Sequence, residues 1–177
     1  WRLPMHGGFV GFRRVVDLPF VARHSRRTAG EVRARLGLDV SRRVVLVSFG
    51  GFGLQAMGVD LLARLGDFDF IVTEGSLVPQ GERVAGVAAV RRGNVVSVNE
   101  HAWYGEGWRY EDLVKAADVV VTKPGYGIIS ECLANDTAIV YTSRGRFIEY
   151  DVLVAAIPNT VPAAFIGNED LLAGNWE

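Results

Sequence analysis

The segment from Lys123 to Glu131 combines residues that could bind a phosphorylated ligand. It reads Lys-Pro-Gly-Tyr-Gly-Ile-Ile-Ser-Glu and directly follows an apolar run that is typical of a buried strand. Gly125 and Gly127 would let backbone N–H groups approach a phosphate, and the positive end of a following helix favours an anion. Glu131 could accept two hydrogen bonds from a ribose diol. The pattern also fits a helix that Ser130 and Glu131 merely cap.

A second glycine loop follows the apolar run 43–49 and carries Gly50, Gly51 and Gly53. Glycines here would again allow backbone N–H groups to contact a phosphate at a helix N-terminus. Tight turns also collect glycine, so the loop alone leaves both interpretations open.

Alternating strands and helices must position these loops. Apolar, β-branched runs predict strands at 43–49, 68–73, 94–99, 118–122, 138–142 and 163–166, with residues 84–90 unassigned. Helices are expected from the Thr28–Glu31 capping box to Gly37 and over 57–65, 110–117, 128–134 and 147–157. This alternation predicts an α/β, Rossmann-like parallel sheet flanked by helices, whose ligands bind at the carboxyl ends of the strands.

The composition argues against several classes of function. Nineteen Lys and Arg against 20 Asp and Glu give a net charge of −1, which argues against a nucleic-acid partner. Cys132 is the single cysteine, so no internal disulfide is possible, and three scattered histidines predict no metal site. No apolar run is long enough to span a bilayer, and no secretory start is visible, so a cytoplasmic location is expected.

The run 116–134 resembles the donor-binding signature of family 28 glycosyltransferases, such as the N-acetylglucosaminyl transferase of peptidoglycan synthesis. It is more similar still to the glycosyltransferase-like domain that precedes the sugar kinase in plant arabinokinases. That group has an arm, a Phe-Gly-Gly loop and a Lys-x-Gly-Tyr-Gly segment in the order found here at 17–23, 49–51 and 123–127. The similarity covers about 15–157 and implies the C-terminal half of a GT-B fold.

The resemblance implies a role for individual positions. Glu131 matches the acid that holds the ribose hydroxyls, and the two glycine loops match those near the diphosphate. The segment 100–103 matches the region that holds the base through backbone groups. Within 146–151, which departs from the family's Gln or Asp pair, Glu149 is the expected polar contact to the sugar. The residues expected to bind the donor are Gly50, Gly51, Gly53, His101, Ala102, Lys123, Gly125, Tyr126, Gly127, Ser130, Glu131 and Glu149.

The resemblance also implies a function. The chain would bind a nucleoside diphosphate sugar, a UDP-sugar by family, as a substrate without any cofactor, and would donate a hexosyl group. Residues 1–23 would form an arm or interdomain linker, and 24–177 the nucleotide-sugar-binding domain of a longer protein. The acceptor and the general base would belong to an N-terminal domain outside this sequence, so the isolated fragment would catalyse no transfer.

Two alternatives stay open. Gly51-Phe-Gly-Leu-Gln-Ala56 fits G-x-G-x-x-A, and Glu74 lies where a dinucleotide-binding acid would sit, as in an NAD-dependent oxidoreductase. That interpretation leaves the segment 123–131 without a role. The domain could instead be a nucleotide-sugar-binding module without catalysis, because a fold does not fix an activity.

For two further segments the sequence predicts a structure and no function. The arginine-rich stretch 23–35 is expected to be a solvated helix face. The insertion 104–108, Tyr-Gly-Glu-Gly-Trp, is expected to be a surface loop.

Overall fold

The computed structural model describes residues 1–49, 58–73, 81–87 and 89–176. Its strands are β1 Arg43–Ser48, β2 Phe68–Thr73, β3 Glu82–Arg83, β4 Ala89–Arg92, β5 Val95–Val98, β6 Val119–Thr122, β7 Ala138–Tyr141 and β8 Ala163–Phe165. Its helices are α1 Ala29–Arg35, α2 Val59–Arg64, α3 Glu100–Gly105, α4 Tyr110–Ala116, α5 Tyr126–Asn135, α6 Tyr150–Ala156 and α7 Asn168–Ala173. A single turn of 3₁₀ helix, Ile157–Asn159, follows α6.

The strands form one sheet in the order β3-β4-β5-β2-β1-β6-β7-β8. Every pairing from β5 across to β8 is parallel, while β4 runs antiparallel to both β3 and β5. The predicted parallel sheet of an α/β domain is therefore confirmed, with β1 inside the sheet between β2 and β6.

Helices cover both faces of the sheet, which explains why the central strands are apolar at successive positions. In β1, Val44 and Leu46 pack into a core that also contains Trp103 of α3. The intervening Val45 and Val47 pack into a second core on the opposite face with α2 and α7. Because neighbouring side chains of a strand point to opposite faces, a strand covered on both sides needs apolar residues throughout.

Two regions contain elements that the sequence prediction missed. The unassigned residues 84–90 belong to a connection that includes β3 and β4, short strands that carry charged residues and lack a long apolar run. Segment 100–105 is helix α3, capped by the side chain of Asn99 and anchored by the fully buried Trp103. The expected surface loop 104–108 is thus wrong in part, since Tyr104 and Gly105 are helical and Trp108 stacks on Trp103.

The expectation that the arginine-rich stretch 23–35 is a solvated helix face is wrong in part. Arg26 and Arg27 are exposed but precede α1, whereas the two arginines of α1 are half-buried and paired. Arg33 donates to the carbonyl of Ala116 and pairs with Asp118 at 3.0 Å, while Arg35 pairs with Glu106. These contacts attach α1 to the segments that flank α4 and α3. The capping box that begins α1 at Thr28 is formed as predicted.

A buried acid stabilises the amino end of the sheet, away from the candidate ligand-binding edge. Asp69 of β2 is 1% exposed and accepts hydrogen bonds from Arg42 Nε at 3.0 Å and from the Asp39 N–H at 3.3 Å. Arg42 also donates to the carbonyls of Gly66 and Phe68. A buried charge with these partners fixes the connection into β1 relative to β2.

We expect Asp69→Ala to lower the free energy of unfolding by about 2–3 kcal/mol, because it removes charged hydrogen bonds from a buried site. Urea unfolding followed by circular dichroism would measure the change. Asp67→Ala is the matched control, since Asp67 is exposed and no partner for it lies among the described residues. Equal stabilities of the two variants would contradict the role given to Asp69.

Candidate functional site

Three neighbouring strands end at the same place on the sheet. Ser48 of β1 is in register with Thr122 of β6, and Thr122 with Tyr141 of β7. The chain segments that follow these strands therefore leave the sheet side by side. Helix α5 begins at this edge, with Gly125 as its N-cap residue after Pro124. The described part of the edge agrees with the general position of ligand sites in parallel α/β sheets.

A pocket of about 530 Å³ opens at this edge. Among the residues that the structure describes, its lining contains cationic side chains and no carboxylate. A helix N-terminus adds partial positive charge from N–H groups that have no partner within the helix. The pocket is thus suited to an anion such as a phosphate. Its lining residues are Ser48, Phe49, Thr122, Lys123, Gly125, Ile128, Arg144, Arg146 and Phe147.

Arg144 connects the loop after β7 to the start of α5. Its Nη1 donates to the carbonyl of Pro124 at 2.6 Å, and its guanidinium lies 3.7 Å from the ring centre of Phe147. These contacts hold a charge beside Gly125. Arg144 was not among the predicted site residues, although it follows the carboxyl end of β7, the position from which it could have been found.

Glu131 lies farther along α5 and faces an arginine of the N-terminal arm. Its side chain is 9% exposed, and Arg23 Nε and Nη2 lie 2.6 and 2.5 Å from Glu131 Oε1. Burial raises the pKa of Glu131, and the hydrogen bond and charge of Arg23 oppose that rise. Glu131 Oε2 has no hydrogen-bond partner in the described part of the chain, so this oxygen can accept hydrogen bonds from a ligand.

The arm runs along the polar face of α5. Val21 donates its N–H to the Tyr126 hydroxyl at 3.3 Å, and its carbonyl accepts from Ser130 Oγ at 3.2 Å. Asn135 donates to the carbonyl of Arg23 and accepts from the N–H of Ser25. Tyr126 and Ser130, both predicted to bind a donor, therefore contact the arm in this structure.

Ser130 does not cap α5. Its hydroxyl donates to the carbonyls of Gly127 and Val21, and the N-cap residue is Gly125. Glu131 likewise pairs with the arm and makes no capping contact. The capping interpretation of these two residues is therefore wrong.

His101 and Ala102 lie in the first turn of α3 and are exposed. The N–H of Ala102 already donates to Asn99 Oδ1 at 2.8 Å, and its carbonyl accepts from the N–H of Glu106. Binding of a base through the backbone of Ala102 would have to compete with these helix contacts. The predicted role of both residues stays a prediction.

The remaining predicted residues lie in three places. Lys123 and Gly125 line the pocket, and Gly127 is exposed in the first turn of α5. Glu149 is the N-cap residue of α6 and lies against the N-terminal residues 1–9, whereas Arg146 lines the pocket. The predicted residues Gly50, Gly51 and Gly53, together with Glu74 of the dinucleotide-binding alternative, lie outside the described residues.

Within the described ranges, no group of three or more His, Cys, Asp or Glu side chains is arranged to hold a metal ion. Across the same ranges, no helix has the length and apolar character that a membrane crossing requires.

The chain is similar in sequence to L-arabinokinase of Arabidopsis thaliana, with 29% identity over 179 residues. That match covers 99% of this chain and 15% of the plant protein. No family model matches the chain.

The chain is also similar to parts of solved structures. The glycotransferase of kitacinnamycin superposes with a TM-score of 0.52 at 19% identity, over 88% of this chain and 38% of that one. The glycosyltransferase SnogD from Streptomyces nogalater gives a TM-score of 0.47 at 21% identity, over 92% and 43% of the two chains. With the parallel sheet described above, the kitacinnamycin match shows an α/β domain with the fold of part of a GT-B glycosyltransferase, which confirms the predicted fold class.

Substitutions of the two glycines at the start of α5 give two separate predictions, one for anion binding in the pocket and one for the stability of the helix. A methyl group on Gly125 would lie 3.0 Å from Arg144 Nη1, so Gly125→Ala should displace that guanidinium. The extended backbone of Gly125, with φ −157°, accepts alanine without strain. We expect roughly fivefold weaker binding of inorganic pyrophosphate, the change that corresponds to about 1 kcal/mol, measured by calorimetry.

Gly127→Ala tests the stability of the helix, because no heavy atom lies within 4 Å of the added methyl group. Alanine within a helix should raise its stability by about 0.5–1 kcal/mol, so this variant should unfold at a higher temperature. Wild-type pyrophosphate affinity in Gly125→Ala would contradict the position given to Arg144.

Proposed function

We propose that this chain is the donor-binding domain of a glycosyltransferase that uses a nucleoside diphosphate sugar, with UDP-sugar as the expected donor. The observation that carries the proposal is the cationic pocket at the N-terminus of α5, with Glu131 farther along the same helix. A nucleoside diphosphate sugar needs cations for its diphosphate and an acid for its ribose hydroxyls. The pocket at the start of α5 supplies the cations, and α5 itself supplies the acid.

The diphosphate occupies the pocket in this proposal. Lys123 and Arg146 have no carboxylate partner among the described residues, so both charges are available to a ligand. Arg144 is held by Pro124 and Phe147 and contributes its charge from a fixed position. A positioned cation stabilises a diphosphate more than a free one, because less side-chain freedom is lost on binding.

The ribose lies against Glu131, and its hydroxyls donate to Oε2. The base lies toward α3, where His101 and Ala102 are exposed. The sugar lies beyond the diphosphate, near the loop that contains Arg146.

The reaction follows from these positions. An acceptor hydroxyl oxygen forms a bond to the anomeric carbon, while the bond from that carbon to the diphosphate oxygen breaks. The electron pair leaves with the nucleoside diphosphate, whose new charge is stabilised by Lys123, Arg146 and the N-terminus of α5. The acceptor and the base that takes its proton belong to an N-terminal domain outside this sequence. The hexosyl group is the unit transferred.

A binding module without catalysis is the second candidate. It is supported by the similarity to L-arabinokinase, a protein named for a kinase activity, of which this chain matches 15%. The two candidates share the donor site. They differ in whether the full-length protein transfers the sugar.

Titration of the domain with nucleotides distinguishes the transferase and the binding module from the oxidoreductase alternative. We expect the domain to bind UDP and UDP-sugars, measured by calorimetry, and Glu131→Gln to weaken this binding roughly tenfold because one charged hydrogen bond is lost. Glu169→Gln, an exposed acid of α7, is the control. Binding of NAD that survives Glu131→Gln would favour the oxidoreductase. UDP-sugar binding without transfer by the full-length protein would favour the module.

The diphosphate site can be tested apart from the ribose site. Lys123→Met and Arg146→Met should each weaken UDP binding roughly tenfold, since each removes a charge-assisted contact to the diphosphate. Neither variant should change the affinity for uridine, which carries no phosphate. Arg14→Met is the matched control, because Arg14 is an exposed arginine outside the pocket. Equal losses for uridine and UDP would contradict this placement of the diphosphate.

A further inference from the structure

A pair of acids holds Arg23 at the edge of the candidate ribose site. Both close contacts of its guanidinium to Glu131 involve Oε1, at 2.6 Å from Nε and 2.5 Å from Nη2. On its other side, Glu111 Oε2 lies 3.6 Å from Nε. Glu111 Oε2 is buried and has no hydrogen-bond partner in the described part of the chain. Arg23 therefore bridges two acids from different helices.

The backbone of the arm holds Arg23 independently of its side chain. Asn135 donates to the carbonyl of Arg23 at 3.0 Å, and Asn135 also accepts from the N–H of Ser25 at 2.8 Å. Two residues before Arg23, Val21 is bonded to α5 through both its N–H and its carbonyl. Replacement of the Arg23 side chain should therefore leave the arm on α5.

We propose that Arg23 is the positioning residue of the ribose site: its guanidinium binds Glu131 Oε1 and orients the carboxylate so that Oε2 accepts the ribose hydroxyls. This inference rests on the proposed function, because it assigns the residue that prepares Glu131 for a nucleotide. Arg23 acts through Glu131 and does not touch the ligand.

The charges around Glu131 explain why a cation is needed there. Burial raises the pKa of Glu131, and Glu111 raises it further, whereas Arg23 lowers it. Burial also raises the pKa of Tyr104, Tyr110 and Cys132, so these groups are neutral at physiological pH. Among the described residues, five ionisable groups interact electrostatically with Glu131. They are Arg23 of the arm, Tyr104 of α3, Tyr110 and Glu111 of α4, and Cys132 of α5.

The direction in which loss of Arg23 changes the pKa of Glu131 can therefore be predicted. Without the cation, the pKa of Glu131 rises, and the protonated form becomes populated at higher pH than in the wild type. A protonated carboxyl is a poorer acceptor for two hydroxyl donors than a carboxylate. UDP binding in Arg23→Gln should thus weaken roughly tenfold at pH values below the new pKa of Glu131 and recover in part as the pH rises through that pKa.

The experiment compares variants by two measurements. UDP affinity is determined by calorimetry across pH, and the Glu131 carboxyl is titrated by ¹³C NMR in the ligand-free protein. Arg23→Lys, which keeps the charge, should bind UDP better than Arg23→Gln. Adding Glu111→Gln to Arg23→Gln should restore part of the affinity, because it removes the negative charge that opposes ionisation of Glu131. Arg26→Gln is the matched control, since Arg26 is exposed between the arm and α1 and no partner for it is found in the described ranges.

The outcomes distinguish the inference from the proposed function. Failure of the wild type to bind UDP would overturn the proposed function and the ribose assignment with it. If the wild type binds UDP, two results would overturn the role of Arg23 alone. These are equal or tighter binding by Arg23→Gln and an unchanged titration of the Glu131 carboxyl. Tighter binding would identify Arg23 as a competitor that the nucleotide displaces.

Discussion

A carboxylate in a largely buried helix face is unfavourable unless a cation reaches it, and Glu131 of α5 imposes this condition on the domain. Among the described residues, the sheet and its helices place no cation beside it, and the cation comes from the arm. Arg23 can reach Glu131 only if the arm lies along α5, and the contacts of Ser130 and Asn135 to the arm backbone keep it there. The polar residues of α5 thus act together as the binding face for the arm.

The two ends of the sheet use charge in different ways. At the amino end, Asp69 is matched by Arg42 and by backbone donors, which stabilises the connection between β1 and β2. At the carboxyl end, Lys123 and Arg146 are left without a carboxylate among the described residues. Matched charge contributes to folding, whereas unmatched charge is available to a ligand. This asymmetry supports the proposal that a ligand binds at the carboxyl edge.

Sequence patterns correctly predicted those helices and strands whose formation depends on neighbouring residues. The capping box at Thr28 and the apolar run 68–73 each predicted an element, because neighbouring residues decide them. Helix α3 was missed because it is short and depends on burial of Trp103. Within the site, the segment 123–127 was found from its own residues, and its backbone forms the start of α5.

Contacts between distant segments could not be predicted in this way. Arg144 meets Pro124 across 20 residues, and Arg23 meets Glu131 across 108. No periodicity or motif spacing encodes such a pair, since only the folded sheet brings the partners together. The arginine-rich stretch was misinterpreted for the same reason: its residues are neighbours in sequence, but their partners lie on α3, α4 and α5.

Helix α5 is the element that unites the two halves of the proposed site. Gly125 and Glu131 are six residues apart, which at 1.5 Å per residue separates them by about 9 Å along a rigid axis. One helix therefore fixes the distance between the anion site at its N-terminus and the acid that would hold the ribose. The arm and the loop after β7 then add Arg23 and Arg144, one at each end of that distance. Because both arginines are held by contacts to α5 or to the residue before its N-cap, the described part of the proposed site is already assembled before any ligand arrives. Preorganisation of this kind lets a small set of charges select one ligand shape, since little ordering remains to oppose binding.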